Sequence, residues 1–133
     1  MKAAYVDTSA IVAVAFEEPA GPAVSRTLER LARLVSSNLL EAELRATFAR
    51  EGFPMERRLL SGVDWIHPDR PLSGEIAKVL RVGYLKGADL WHMATALYIA
   101  EDHAELSFVT LDKTQESVAA RLGFPSWRTI AQQ

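Results

Sequence analysis

Short runs rich in β-branched and aromatic residues alternate along this chain with longer segments of helical period, and no other feature of the sequence restricts the fold as much. Strand, helix and strand in succession read as crossover units, so the expected fold class is α/β with a mainly parallel sheet. The candidate strands are Ala3 to Val6, Arg33 to Ser36, Val63 to His67, Leu106 to Leu111, and a weaker run around Ser126 to Arg128. About five strands are therefore expected. A chain of 133 residues supports one proper core and is too short for two ordinary domains, so residues 1–133 are read as a single domain.

The helical segments have recognisable starts and stops. Ser9 to Phe16 and Ala23 to Ala32 read as helices, the second with Val24, Leu28 and Leu31 on one apolar face. A third begins near Asn38, where Asn38 and Glu41 have the spacing of a capping box. Short helices are expected from Pro54 to Leu60 and from Ser73 to Val82. Gly87 opens a strong helix, Ala88 to Ala100, whose Ala94, Ala96 and Ala100 allow close approach of neighbouring backbone and predict a central position. Asp112 starts a last helix, Lys113 to Arg121, with Gly123 placed as its C-cap, and the segment beyond is expected to add an edge strand or a tail.

Two of these elements end or begin at an aspartate. Asp7 directly follows the first strand and Asp112 the Phe108-Val109-Thr110-Leu111 strand. The carboxyl ends of strands in an open parallel sheet form the crevice where ligands bind, so both are candidates for one site. Helix capping alone would also explain each, and Gln115 stands at the capping-box position after Asp112. Glu43 lies inside the third helix among Leu39, Leu40 and Leu44 and has no such local task, whereas capping accounts for Glu41. Asp89 lies in the first turn of the alanine-rich helix, where the helix dipole favours negative charge.

If Asp7, Glu43, Asp89 and Asp112 meet in one crevice, their repulsion must be relieved by protons or by a cation. The chain has no cysteine and only three histidines, so oxygen ligands and a hard ion, magnesium or manganese, are expected rather than zinc. Such an ion supports in-line hydrolysis of a phosphodiester. No Gly-rich phosphate loop and no nucleophile elbow accompany the acids, which sets aside P-loop and triad chemistry.

Those acids and their neighbours resemble the PIN-domain ribonucleases, and among them the small VapC-like toxins of prokaryotic toxin-antitoxin pairs. The resemblance spans nearly the whole chain. It rests on Tyr5-Val6-Asp7-Thr8-Ser9-Ala10, Glu43-Leu44, Asp89-Leu90-Trp91-His92-Met93-Ala94-Thr95-Ala96 and Val109-Thr110-Leu111-Asp112, in that order. It implies a three-layer α/β/α fold and a magnesium- or manganese-dependent endoribonuclease leaving a 5′-phosphate and a 3′-hydroxyl. A homodimer and an antitoxin bound over the active site are implied as well. The family would assign metal binding and catalysis to Asp7, Glu43, Asp89 and Asp112, with Glu43 preferred to Glu41 because it precedes Leu44.

Other residues have plainer explanations. His92, three residues after Asp89, is read as a buried, hydrogen-bonded histidine, with a ligand or proton donor as the alternative. Thr8, Ser9 and Thr110 carry hydroxyls beside the acids and would orient a carboxylate, cap or pack. Arg45 and Arg50 read as a solvated helix face, Lys86 as a solvent-facing lysine, and Trp65, Trp91 and Trp127 as core or interface rather than base-stacking groups.

Composition sets the remaining bounds. Apolar residues make up 49% and charged residues 24%, a globular mixture. No apolar run approaches the roughly 20 residues of a membrane span, and Asp7 interrupts any signal-peptide core, so a cytoplasmic protein is expected. The formal charge of −2 is not the footprint of many nucleic-acid binders, although an acidic site that takes up cations would account for much of it. A phosphatase of the haloacid-dehalogenase type is disfavoured by Ser9, where a second Asp is wanted, and a phospho-accepting receiver by the missing acidic pair. An inert module acting through partners is the other alternative.

Overall fold

A computed structural model describes residues 2–132, and its element order follows the expected alternation. The elements are β1 (Ala3–Val6), α1 (Thr8–Ala15), α2 (Gly21–Glu29), β2 (Arg33–Ser37), α3 (Leu39–Glu51), β3 (Val63–Ile66), α4 (Ser73–Val82), α5 (Gly87–Ile99), β4 (Leu106–Val109), α6 (Lys113–Arg121) and α7 (Trp127–Ala131). Short 3-10 turns cover Arg57–Leu60 and His103–Glu105.

All strand pairs are parallel, in the order β3-β2-β1-β4. The register sets Tyr5 opposite Val35 on one side and Phe108 on the other, and Val6 opposite Val109. Side chains alternate across a strand, so Ala4 and Val6 face one helical layer and Tyr5 the other. The two resulting cores divide accordingly. Ala4, Val6 and Val109 pack with Ile11 of α1, Val24 of α2, Leu40 and Leu44 of α3 and Trp127 of α7. Tyr5, Val35 and Phe108 pack with Val79 of α4, Met93 and Leu97 of α5 and Val118 of α6. This is a three-layer α/β/α sandwich, with the Tyr5 and Phe108 rings stacked at 5.2 Å between centroids.

Helix α5 is buried continuously from His92 to Leu97, as expected of a helix that is apolar or small on every side. Helices α1 and α2 approach closely at Gly21, where a Cβ would stand 2.7 Å from the Ala13 carbonyl oxygen. Gly123 follows α6 at φ 99°, and the Phe124 and Gly123 amides close the helix end on Ala119 and Ala120.

Three local expectations are corrected. The run at Ser126 to Arg128 is not a strand but the start of α7, because Trp127 and Ile130 sit at helical spacing and both are buried. Four strands therefore form the sheet among the described residues. Residues 54–56 are not helical, and only the Arg57–Leu60 turn forms there. The Asn38 capping box does not form, since Asn38 already has helical angles of φ −63° and ψ −12° and makes no side-chain cap bond. Ser37 Oγ accepts the Leu39 amide instead, at 3.1 Å, and Glu41 pairs with Arg45 one turn along α3.

The chain leaves β1 towards β2 on one side and returns with β4 on the other. This reversal opens a crevice at the carboxyl ends of β1 and β4, the place where ligands enter open parallel sheets. The Asp7 amide donates to the Val109 carbonyl at 3.0 Å, holding the two strand ends together there.

Candidate active site

Asp7 ends β1 with extended backbone and caps α1 through its carboxylate. Its Oδ2 accepts the Ser9 hydroxyl at 2.7 Å, the Thr110 hydroxyl at 2.9 Å and, more loosely, the Ser9 amide at 3.4 Å. Oδ1 stands 3.9 Å from His92 Nε2. Asp7 is 4% exposed, so these hydroxyls supply the hydrogen bonds that water would otherwise give.

Thr110 and Gln115 tie β4 and α6 to this centre. The Thr110 hydroxyl accepts the Asp112 amide at 3.1 Å and lies 3.0 Å from Gln115 Oε1. Its single proton goes preferentially to the charged Asp7 oxygen. Asp112 caps α6, its Oδ1 accepting the Gln115 amide at 2.8 Å, and its side chain is exposed at the crevice mouth. Capping and membership of the acidic group thus coincide in both Asp7 and Asp112.

Glu43 projects from α3 towards the same crevice. Its Oε1 accepts the Thr8 hydroxyl at 2.8 Å and lies 2.7 Å from His92 Nε2. Burial pushes the Glu43 carboxyl up, but the hydrogen bonds from His92 and Thr8 and the attraction of the imidazole outweigh it, leaving the group below its ordinary range. His92 is fully buried, and its Nδ1 is 2.7 Å from the Tyr5 hydroxyl. That hydroxyl also accepts the Ser37 amide at 3.1 Å. An ionised Glu43 can only accept, which places a proton on Nε2 and leaves Nδ1 to take the tyrosine proton in the neutral imidazole. Burial above all pushes the Tyr5 phenol up to about 12, so it remains a donor at neutral pH.

Asp89 lies in the first turn of α5. Burial raises its carboxyl above the ordinary range, and the charges of Asp7, Asp112 and Glu43 raise it further, with His92 acting weakly the other way. Among the described residues no hydrogen bond or ion pair holds this carboxylate, while the Asp89 backbone carbonyl receives the Gln115 amide nitrogen at a long 3.5 Å. The four acids read from the sequence therefore share one electrostatic neighbourhood. They do not form a tight cage, since no three His, Asp or Glu side chains among the described residues converge enough to ligate one ion directly.

A family model described as the PIN domain matches residues 4–121. The chain belongs to the PIN-domain family. A relative, ribonuclease VapC46 of Mycobacterium tuberculosis (strain ATCC 25618 / H37Rv), is 32% identical over 126 residues, covering 92% of this chain and 95% of its own. No solved structure matches. No helix of this PIN domain, among the described residues, is long and apolar enough to cross a membrane.

Several residues of the PIN domain weighed in the sequence lie apart from the crevice. Arg45 and Arg50 form exposed ion pairs with Glu41 and Glu51 on α3, the solvated face expected of them. Trp127 is buried, with its indole N–H donating to the Thr110 carbonyl at 2.9 Å, and Lys86 is exposed. Two contributors escaped sequence reading. Tyr5 looked like an ordinary strand aromatic, and Gln115 was visible only as a helix-start residue; the polar ends of both reach residues distant in sequence, His92 and Asp89.

Proposed function

We propose that this PIN-domain protein is a magnesium-dependent endoribonuclease, with manganese as a substitute, and the toxin of a toxin-antitoxin pair. The observation that carries the reading is Asp89, a partly buried carboxyl raised by burial and by three neighbouring acids and held by no hydrogen bond among the described residues. Such a group is relieved by a cation. Asp7, Glu43, Asp89 and Asp112 would hold the ion, in part through its bound waters, since magnesium keeps several waters and needs only one or two direct carboxylates. When bound, the ion supplies positive charge to the phosphodiester and lowers the pKa of an attacking water.

The protein's own groups divide the remaining work. Ser9 and Thr110 fix one oxygen of Asp7, so its other oxygen is presented in a defined direction. His92 and Thr8 hold Glu43 ionised and oriented, and Tyr5 holds the His92 ring from behind. Gln115 keeps α6, with Asp112 at its head, against the start of α5.

The relative's name, ribonuclease VapC46, supports RNA as the substrate. Resemblance to VapC-like toxins supports a cytoplasmic homodimer controlled by a cognate antitoxin protein. Cleavage of total RNA is expected with magnesium, and is expected to disappear with EDTA or in a folded Asp7→Asn variant. Full activity in that variant, or no cleavage of any RNA pool by folded, antitoxin-free protein, would favour the inert module. Copurification with a small protein encoded beside it tests the toxin assignment.

A further inference from the structure

Tyr84 is 76% exposed, the most exposed large hydrophobic residue described, and it stands only five residues before Asp89. Its neighbour Leu85 is 4% exposed and anchored in the core, and the segment between α4 and α5 begins with the extended Gly83. An inward Leu85 in an extended segment turns the preceding side chain outward. The residue borders a shallow recess of about 380 Å³ shared with Lys113, Thr114, Ser117 and Arg121 of α6, and among the described residues no Asp or Glu lines it. Lys113 directly follows Asp112 of the acidic group, and Arg121 is steadied by donating to the Val82 carbonyl at 3.1 Å. Lys86, also exposed, lies two residues beyond Tyr84.

An exposed aromatic face beside unopposed cations is the chemistry of single-stranded nucleic acid, in which a base stacks on the ring and the backbone follows the positive charge. The need is acute here. Four carboxylates repel a phosphodiester wherever a cation does not neutralise them, so cations outside the acidic crevice add affinity for the strand. We infer that Tyr84, Lys113 and Arg121 form a flanking subsite that grips single-stranded RNA next to the cleaved bond, with a base on Tyr84 and phosphates on the two cations. The inference rests on the ribonuclease reading for its substrate.

The test is binding of a short labelled single-stranded RNA of mixed sequence, with magnesium, in an Asp7→Asn background. Tyr84→Ala should weaken binding about fivefold or more, Tyr84→Phe should restore it, and Phe53→Ala, which removes a different exposed ring, should leave it unchanged. Lys113→Gln or Arg121→Gln should lower the slope of log affinity against log salt by roughly 0.7 per lost phosphate contact. Unaltered binding by Tyr84→Ala, or no binding by the parent, overturns the subsite. A change of oligomeric state in Tyr84→Ala, read by sedimentation, overturns it too, since the face would then join copies of the chain. RNA cleavage that persists in the Asp7→Asn parent refutes the acidic-site reading, while a loss of binding on Tyr84→Ala would still support the subsite.

Discussion

His92 Nε2 lies 2.7 Å from Glu43 Oε1, joining the buried α5 to the one acid of the crevice contributed by α3. Because the other ring nitrogen meets the Tyr5 hydroxyl, a chain of hydrogen bonds runs from strand β1 to the Glu43 carboxylate. Tyr5→Phe breaks that chain while keeping the ring stacked on Phe108. It leaves the buried His92 Nδ1 and the Ser37 amide unpartnered, a loss of roughly 1–3 kcal/mol by denaturant unfolding. Cleavage should also slow, with kcat affected more than KM, because the orientation of Glu43 is lost rather than a contact with RNA.

Asp89 gives a prediction of opposite sign. Its carboxyl is raised in the folded chain, so the folded state binds the proton more tightly and the ionised group opposes folding at neutral pH. Asp89→Asn should therefore raise the melting temperature of metal-free protein, on the order of a few degrees. The same substitution should reduce the additional stabilisation that magnesium confers on the parent, both read by thermal unfolding with magnesium and with EDTA.

Glu43 sets part of the acid limb of stability. Its folded pKa lies below the ordinary 4.5, so the unfolded chain binds more protons in that window. The contribution is complete above about 4.5 and is lost as pH falls through the lower, folded value. In Glu43→Gln the stability curve should be flatter over that acidic range, as measured by urea unfolding at successive pH values.

Gly21→Ala tests the α1–α2 contact apart from the chemistry. The added methyl would meet the Ala13 carbonyl oxygen at 2.7 Å, and backbone must move to admit it. A loss of roughly 1–3 kcal/mol is expected, with RNA cleavage unchanged at temperatures where the variant remains folded.

The fold class was legible because its signal is local. Strand and helix periods follow from where successive side chains point, and the four main strands, the central α5 and the C-cap at Gly123 were read correctly on that basis. Local reading failed where two signals competed over a few residues, as at Trp127, where a strand-like run became the helix α7, with the indole in the core and Ile130, one turn on, buried as well.

The sequence by itself determined the four candidate acids, with Asp7 at a strand end, Asp112 at a helix start and Glu43 and Asp89 within helices, although β4 stops at Val109 rather than at Leu111. What only the tertiary structure decided was how those acids differ. Capping geometry removed the assumed role of Asn38, and pairing with Arg45 gave Glu41 another one. Long-range hydrogen bonds from Thr8 and His92 lowered the Glu43 carboxyl, while burial and then the three other acids raised Asp89. Charge interactions and hydrogen bonds depend on distances of a few ångströms between residues far apart along the chain, and the order of residues does not contain those distances until the sheet has closed.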